Sequence, residues 1–104
     1  MSALEGIAQT WLNHLAVERG VSANTLSNYR RDVRRYLAWL GENGVDDLRS
    51  VTRPMVEAYL KDLRSHMAVS SANRALIVAR GLHKFAVLEG VVDVDVAVEV
   101  TPPS

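Results

Sequence analysis

Four arginines within six residues, Arg30, Arg31, Arg34 and Arg35, form the densest group of chemically active side chains in the sequence. A guanidinium is a planar fork of donors that grips phosphate oxygens or the edge of a guanine in pairs. Asn24, Ser27 and Asn28 stand just before them. Their amides and hydroxyl bond phosphates, and asparagine also reads adenine. On a helix turning about 100° per residue, Asn24, Ser27, Asn28, Arg31, Arg34 and Arg35 gather on one side. Leu26, Tyr29, Val33, Tyr36, Leu37 and Leu40 lie nearly opposite, and Arg30 falls on a flank, suited to a backbone phosphate or an acid. Such a face fits the major groove of duplex DNA. Most charged helix faces are merely solvated and laced by i, i+4 pairs. Here only Asp32, at the edge of the stripe, offsets four arginines.

A second, weaker stripe lies further on. Asn73, Arg80 and Lys84 share one side of a helix, with Arg74 on the flank and Ile77 beside them, either core or a contact to a thymine methyl. Ser70 and Ser71 stand at its start, where free amides favour a phosphate. The plainer alternative is that the serines cap the helix and Arg80 is a structural partner. His14, His66 and His83 fall on different helices with no second ligand at metal spacing, so no metal site is expected. His83 is near Arg80, within reach of a phosphate, but is read first as a surface or helix-packing histidine. Tyr29, Tyr36 and Tyr59 lie on apolar stripes and are read as core, as is Trp11; Trp39 lies outside its apolar arc and is expected to be partly exposed. There is no glycine-rich phosphate loop, and no cofactor is expected.

The elements that carry these residues follow from periodicity and caps. A first helix is expected from about Ala3 to Arg19, ended by Gly20 as a left-handed cap. A second runs from about Ala23 to Leu40 with Ser22 as N-cap. A third spans about Arg53 to His66, with Thr52 as cap and Pro54 in the first turn, where its missing N–H costs nothing. A fourth, the most widely apolar and so the most central, spans about Ser71 to Leu88 with Ser70 as cap. Residues 91–100 alternate valine with acidic or small residues. With no partner strand available, an extended tail or a short helical turn is expected. Residues 99–104 read as the start of an interdomain linker after a domain at 1–98.

The 104 residues are 48% apolar, enough for one domain with a real core. Formal net charge is zero, but residues 1–88 hold twelve bases and eight acids, a net of +4. A local basic stripe matters more for DNA than the total does. The chain has no cysteine, which suits a reducing cytoplasm, and no signal peptide or membrane span is expected.

The run Val21-Ser22-Ala23-Asn24-Thr25-Leu26-Ser27-Asn28-Tyr29-Arg30-Arg31-Asp32-Val33, then Leu37 and Leu40, resembles the N-terminal core-binding domain of Xer-type tyrosine recombinases, the XerD-like branch above all. Ser70-Ser71-Ala72-Asn73-Arg74-Ala75-Leu76, with Arg80, Leu82 and Phe85, resembles the fourth helix of that domain. The resemblance implies an all-α, four-helix SAM-like bundle of the lambda-integrase N-terminal type. It implies that the second and fourth helices face the major groove of a recombination half-site. Partners would be double-stranded DNA and sister recombinase subunits of a tetramer, with no small-molecule substrate and no membrane, in chromosome dimer resolution. The candidate DNA-contacting residues are Asn24, Thr25, Ser27, Asn28, Arg30, Arg31, Arg34, Arg35, Ser70, Ser71, Asn73, Arg74, Arg80 and Lys84. The family's catalytic residues belong to a separate C-terminal domain, so no tyrosine here takes that role and the chain alone is not an enzyme. Gly81 departs from the pattern, since many relatives carry an arginine beside Arg80, and it implies less phosphate contact by this helix. A helical protein–protein interaction module is the alternative. A helix-turn-helix repressor is weaker still, since no dimerisation segment is visible.

Overall fold

Four α-helices, α1 (Ala3–Val17), α2 (Ala23–Glu42), α3 (Arg53–His66) and α4 (Val69–Leu88), with a 3₁₀ turn at Leu48–Ser50, make up the computed structural model, which describes residues 2–101. Ser22 caps α2 as expected: its Oγ accepts the Thr25 amide at 3.2 Å. Thr52 caps α3, with Pro54 in the first turn. Helices α2 and α4 end alike. Gly44 (φ 77°) and Gly90 (φ 73°) adopt the left-handed conformation that lets the chain turn back. The amides of Val45 and Val91 then bond the carbonyls of Leu40 and Ala86, which the helix ends would otherwise leave open.

Three boundaries differ from the sequence reading. Helix α1 ends at Val17, so Gly20 (φ 61°) lies in the following turn and does not cap the helix directly. Helix α2 runs two residues further, to Glu42. Helix α4 starts at Val69, so Ala68, with no side-chain bond to offer, is the N-cap, and Ser70 lies inside the first turn.

Helix α4 packs against all three other helices, the central place its broad apolar arc implied. Small residues on it, Ala72, Ala75, Ala79 and Ala86, are fully buried and let its neighbours come close. Gly81, half-buried, also lies against a neighbouring helix. A Cβ built there would lie 2.6 Å from Cζ2 of Trp11 on α1. The position serves helix contact, so the departure at Gly81 does not remove a side chain from an outward face. Tyr36 and Tyr59 pack as tilted rings, centroids 4.7 Å apart, between α2 and α3, with Trp39, half-buried, 5.3 Å from Tyr59.

The tail beyond α4 forms turns and no strand, because Val92, Ala97 and Val100 each insert separately into the core while Val94 and Val98 stay exposed. Asp95 accepts the Ala97 amide at 3.0 Å, Glu99 pairs with Arg53 at 2.7 Å, and Arg80 donates to the Val98 carbonyl at 3.2 Å. Of the expected linker, Pro102, Pro103 and Ser104 lie outside the described residues.

His83 is a core residue, 1% exposed, and shares a 2.7 Å hydrogen bond with the Tyr36 hydroxyl. Burial drives its pKa down to about 4, with a small opposing pull from Asp95. The ring is therefore neutral at pH 7 and Tyr36 is free to donate to its Nε2.

Two predictions follow from this packing. Gly81→Ala gains helix propensity of about 1 kcal/mol, but forces Trp11 to move, and overpacking costs about 1–3 kcal/mol. Urea denaturation is expected to show a net loss of stability. For His83 the folded pKa lies below the unfolded value near 6.5, so the unfolded chain takes up the proton first as pH falls. Its contribution is complete above about pH 7 and is lost between about pH 6.5 and pH 4, on the order of 3 kcal/mol at about 1.4 kcal/mol per unit. His83→Gln, which does not titrate, should flatten that part of a stability–pH curve.

Candidate nucleic-acid interface

The outward arc of α2 is assembled as the wheel predicts, but its arginines do three different things. Asn24, Ser27, Arg30, Arg31 and Arg34 are exposed, while Thr25, Asn28 and Arg35 are half-buried. Arg30 and Arg34 border a groove of about 610 Å³ between α1 and α2, floored by Leu4, Ala8, Leu12 and Val33. Arg31 stands between the two sides of the arc. Among the described residues, none of these three has an acid at ion-pair distance. Three guanidiniums held close on one helix without counter-charges raise a local positive potential that attracts phosphate. Tyr29 is half-buried against Trp11, with ring centroids 6.0 Å apart, as a packing residue should be.

Arg35 faces the other way, toward α4. Its Nη1 donates to Asp32 Oδ1 at 2.7 Å, and Arg74 Nε on α4 donates to Oδ2 of the same carboxylate at 2.9 Å. Asp32 has no exposure to water at all, while the two arginine side chains remain 32% and 40% exposed. Its hydrogen bond to Arg74, and then its charge, hold that guanidinium's pKa above the usual value. The trio carries a net charge of +1 and joins α2 to α4. The sequence reading had Asp32 as a partial offset at the stripe's edge. The i+3 spacing to Arg35 is visible in the sequence; the bond to Arg74, across 42 residues, is not.

The stripe expected on α4 is divided. Arg74 turns to Asp32, whereas Arg80 is half-buried and donates to the Val98 carbonyl of the tail. Ser70 and Lys84 are exposed, Ser71 and Asn73 half-buried. Asn73 Oδ1 is buried and has no hydrogen-bond partner among the described residues. Ile77 is 57% exposed, so it is a surface residue and not core. The first turn of α4 has no side-chain cap, which leaves its leading amides open to solvent or to an anion.

Residues 8–90 match the phage integrase N-terminal SAM-like domain, and the chain belongs to that family, an all-α bundle as the resemblance implied. Within it the chain is an XerD-like domain. It is 62% identical over 104 residues to tyrosine recombinase XerD of Corynebacterium glutamicum, a match covering 94% of this chain and 34% of the relative. It is 48% identical to tyrosine recombinase XerD of Mycobacterium tuberculosis, over 92% of this chain and 33% of that protein. For the Mycobacterium leprae counterpart the figures are 45%, 99% and 35%. The chain thus spans about a third of the length of the curated relatives it matches. No solved structure matches it. Among the described residues no helix is long and apolar enough to cross a membrane.

The two expected serine caps separate cleanly by experiment. Ser22→Ala removes a real N-cap bond and should cost about 1 kcal/mol. Ser70→Ala should stay within about 0.5 kcal/mol of wild type, as surface changes away from special features do. Thermal unfolding of the two variants side by side checks this.

Proposed function

We propose that this chain is the DNA-binding, core-binding domain of a site-specific tyrosine recombinase, closing on the major groove of a recombination half-site through the outward faces of α2 and α4. The observation that carries this reading is the set of Arg30, Arg31 and Arg34, exposed on one helix face without acidic partners among the described residues and bordered by Asn24, Ser27 and Asn28. Thr25, Arg35, Ser70, Ser71, Asn73, Arg74, Arg80 and Lys84 complete the proposed contact set. We assign the domain to residues 1–98 and the start of the linker to residues 99–104, although Val100 is still held in the core. The relatives' names, tyrosine recombinase XerD, support a role in Xer-type recombination; the role proposed is chromosome dimer resolution in the cytoplasm, with sister recombinase subunits in a tetramer. Strand cleavage is assigned to a separate catalytic domain, so this domain binds and does not cut.

Binding to duplex DNA should be weak and steeply salt-dependent, because phosphate contacts release counterions. In a fluorescence titration at several salt concentrations, the logarithm of affinity should fall linearly with that of salt. Arg31→Ala should reduce that slope by about one. Binding that ignores salt, or none at low salt, favours the protein-interaction module instead.

A further inference from the structure

A buried carboxylate within a proposed DNA-binding face looks at first like a liability. It subtracts charge where positive charge is wanted, and burying it costs free energy unless it is paired. Its geometry points elsewhere. Both oxygens of Asp32 are engaged, Oδ1 by Arg35 Nη1 at 2.7 Å and Oδ2 by Arg74 Nε at 2.9 Å. The carboxylate is fully shielded from water, while the two guanidiniums are partly exposed. Arg74 is held through Nε alone, so no described acceptor occupies its two Nη groups. Arg35 likewise uses a single nitrogen. The donors left over belong to two side chains on two different helices, tied to one point.

We infer that Asp32 is a positioning residue: it holds Arg35 and Arg74 as one preorganised guanidinium pair at the α2–α4 seam, shaped to take a phosphate of the duplex backbone. An unrestrained arginine gives up considerable rotamer freedom when it binds. Here that ordering is completed on folding, so less is lost on contact with DNA. Asp32 itself touches no DNA. The inference rests on the DNA-binding reading above, and it makes a prediction of opposite sign to charge counting. Removing an acid from a phosphate-binding surface should tighten binding if the acid only subtracts charge.

The test is a titration of the 104-residue chain with a short mixed-sequence fluorescent duplex at several salt concentrations. Asp32→Asn is nearly isosteric but can accept only one of the two bonds and turns an amide donor toward the other arginine. Losing a hydrogen bond to a charged group should lower affinity about tenfold despite the added positive charge, with a shallower salt slope. Helical circular dichroism establishes that the variant is folded at the working temperature. Unchanged or tighter binding by folded Asp32→Asn overturns the inference. Arg74→Lys is the second arm, since it keeps the charge and lacks the Nε donor. It should weaken binding as much as Arg74→Ala does; wild-type affinity would again overturn the inference, and this arm decides if Asp32→Asn does not fold. If the wild-type chain shows no salt-dependent binding, the DNA reading itself fails. If wild type binds and Arg31→Ala weakens it while Asp32→Asn does not, the positioning role alone fails.

Discussion

Between α2 and α4 a carboxylate sits out of contact with water, compensated among the described residues by two arginines, one from its own helix and one from its neighbour. Left alone, a buried charge of this kind costs several kcal/mol, and breaking such a pair by removing one partner costs about 3–5 kcal/mol. The relative position of the two helices is therefore constrained more narrowly than apolar packing alone would require. Leucines slide past one another at modest cost. A carboxylate with each oxygen committed to a different guanidinium tolerates much less displacement. The two faces proposed to meet DNA are thus held in register by a polar contact beneath them.

The rest of the bundle accommodates that register. Helix α4 lies against three helices because four alanines on its buried side, and half-buried Gly81, give up side-chain volume to neighbours between its larger core residues. Trp11 occupies the space above Gly81, and Tyr29 stacks on Trp11 from α2. Tyr36 reaches across to His83 on α4. Aromatic rings thus fill gaps that small residues open, and the two polar tips meet each other instead of remaining unpaired in the core.

Much of this was legible in the residues, for definable reasons. Helices reveal themselves through the 3.6-residue period, so all four were placed, and the core roles of Trp11, Tyr36 and Tyr59 followed from the same stripes. The caps were readable where a side chain does the capping, as at Ser22 and Thr52. The start of α4 was misplaced because Ala68 caps it without a side-chain bond, so the sequence there carries no mark, and Ser70 looked like the better candidate. Tertiary partners were not legible. Arg34 and Arg35 share the outward arc at its two sides, about 100° apart on the wheel, yet the wheel does not say that one borders a groove toward α1 and the other is bonded at the seam with α4. Nothing local to Arg80 indicates that its partner is the Val98 carbonyl, nor does Gly81 announce the indole above it. The alternation in residues 91–100 has the period of a strand, but only Val92, Ala97 and Val100 enter the core, each singly from turns, which periodicity cannot distinguish.

That last segment has a mechanical consequence. After Gly90 the chain does not leave the bundle; it is fastened by Val92, Ala97 and Val100 and by the links of Arg80 and Arg53 to Val98 and Glu99. Ten residues that would otherwise serve as tether, with a reach of about 33–36 Å when extended, are folded onto the domain. Anything joined beyond residue 104 is therefore on a shorter leash, and its effective concentration near this domain is correspondingly higher. In the recombinase proposed above, the acidic strap would set how far the DNA-binding domain and whatever follows it can drift apart while both hold the same piece of DNA.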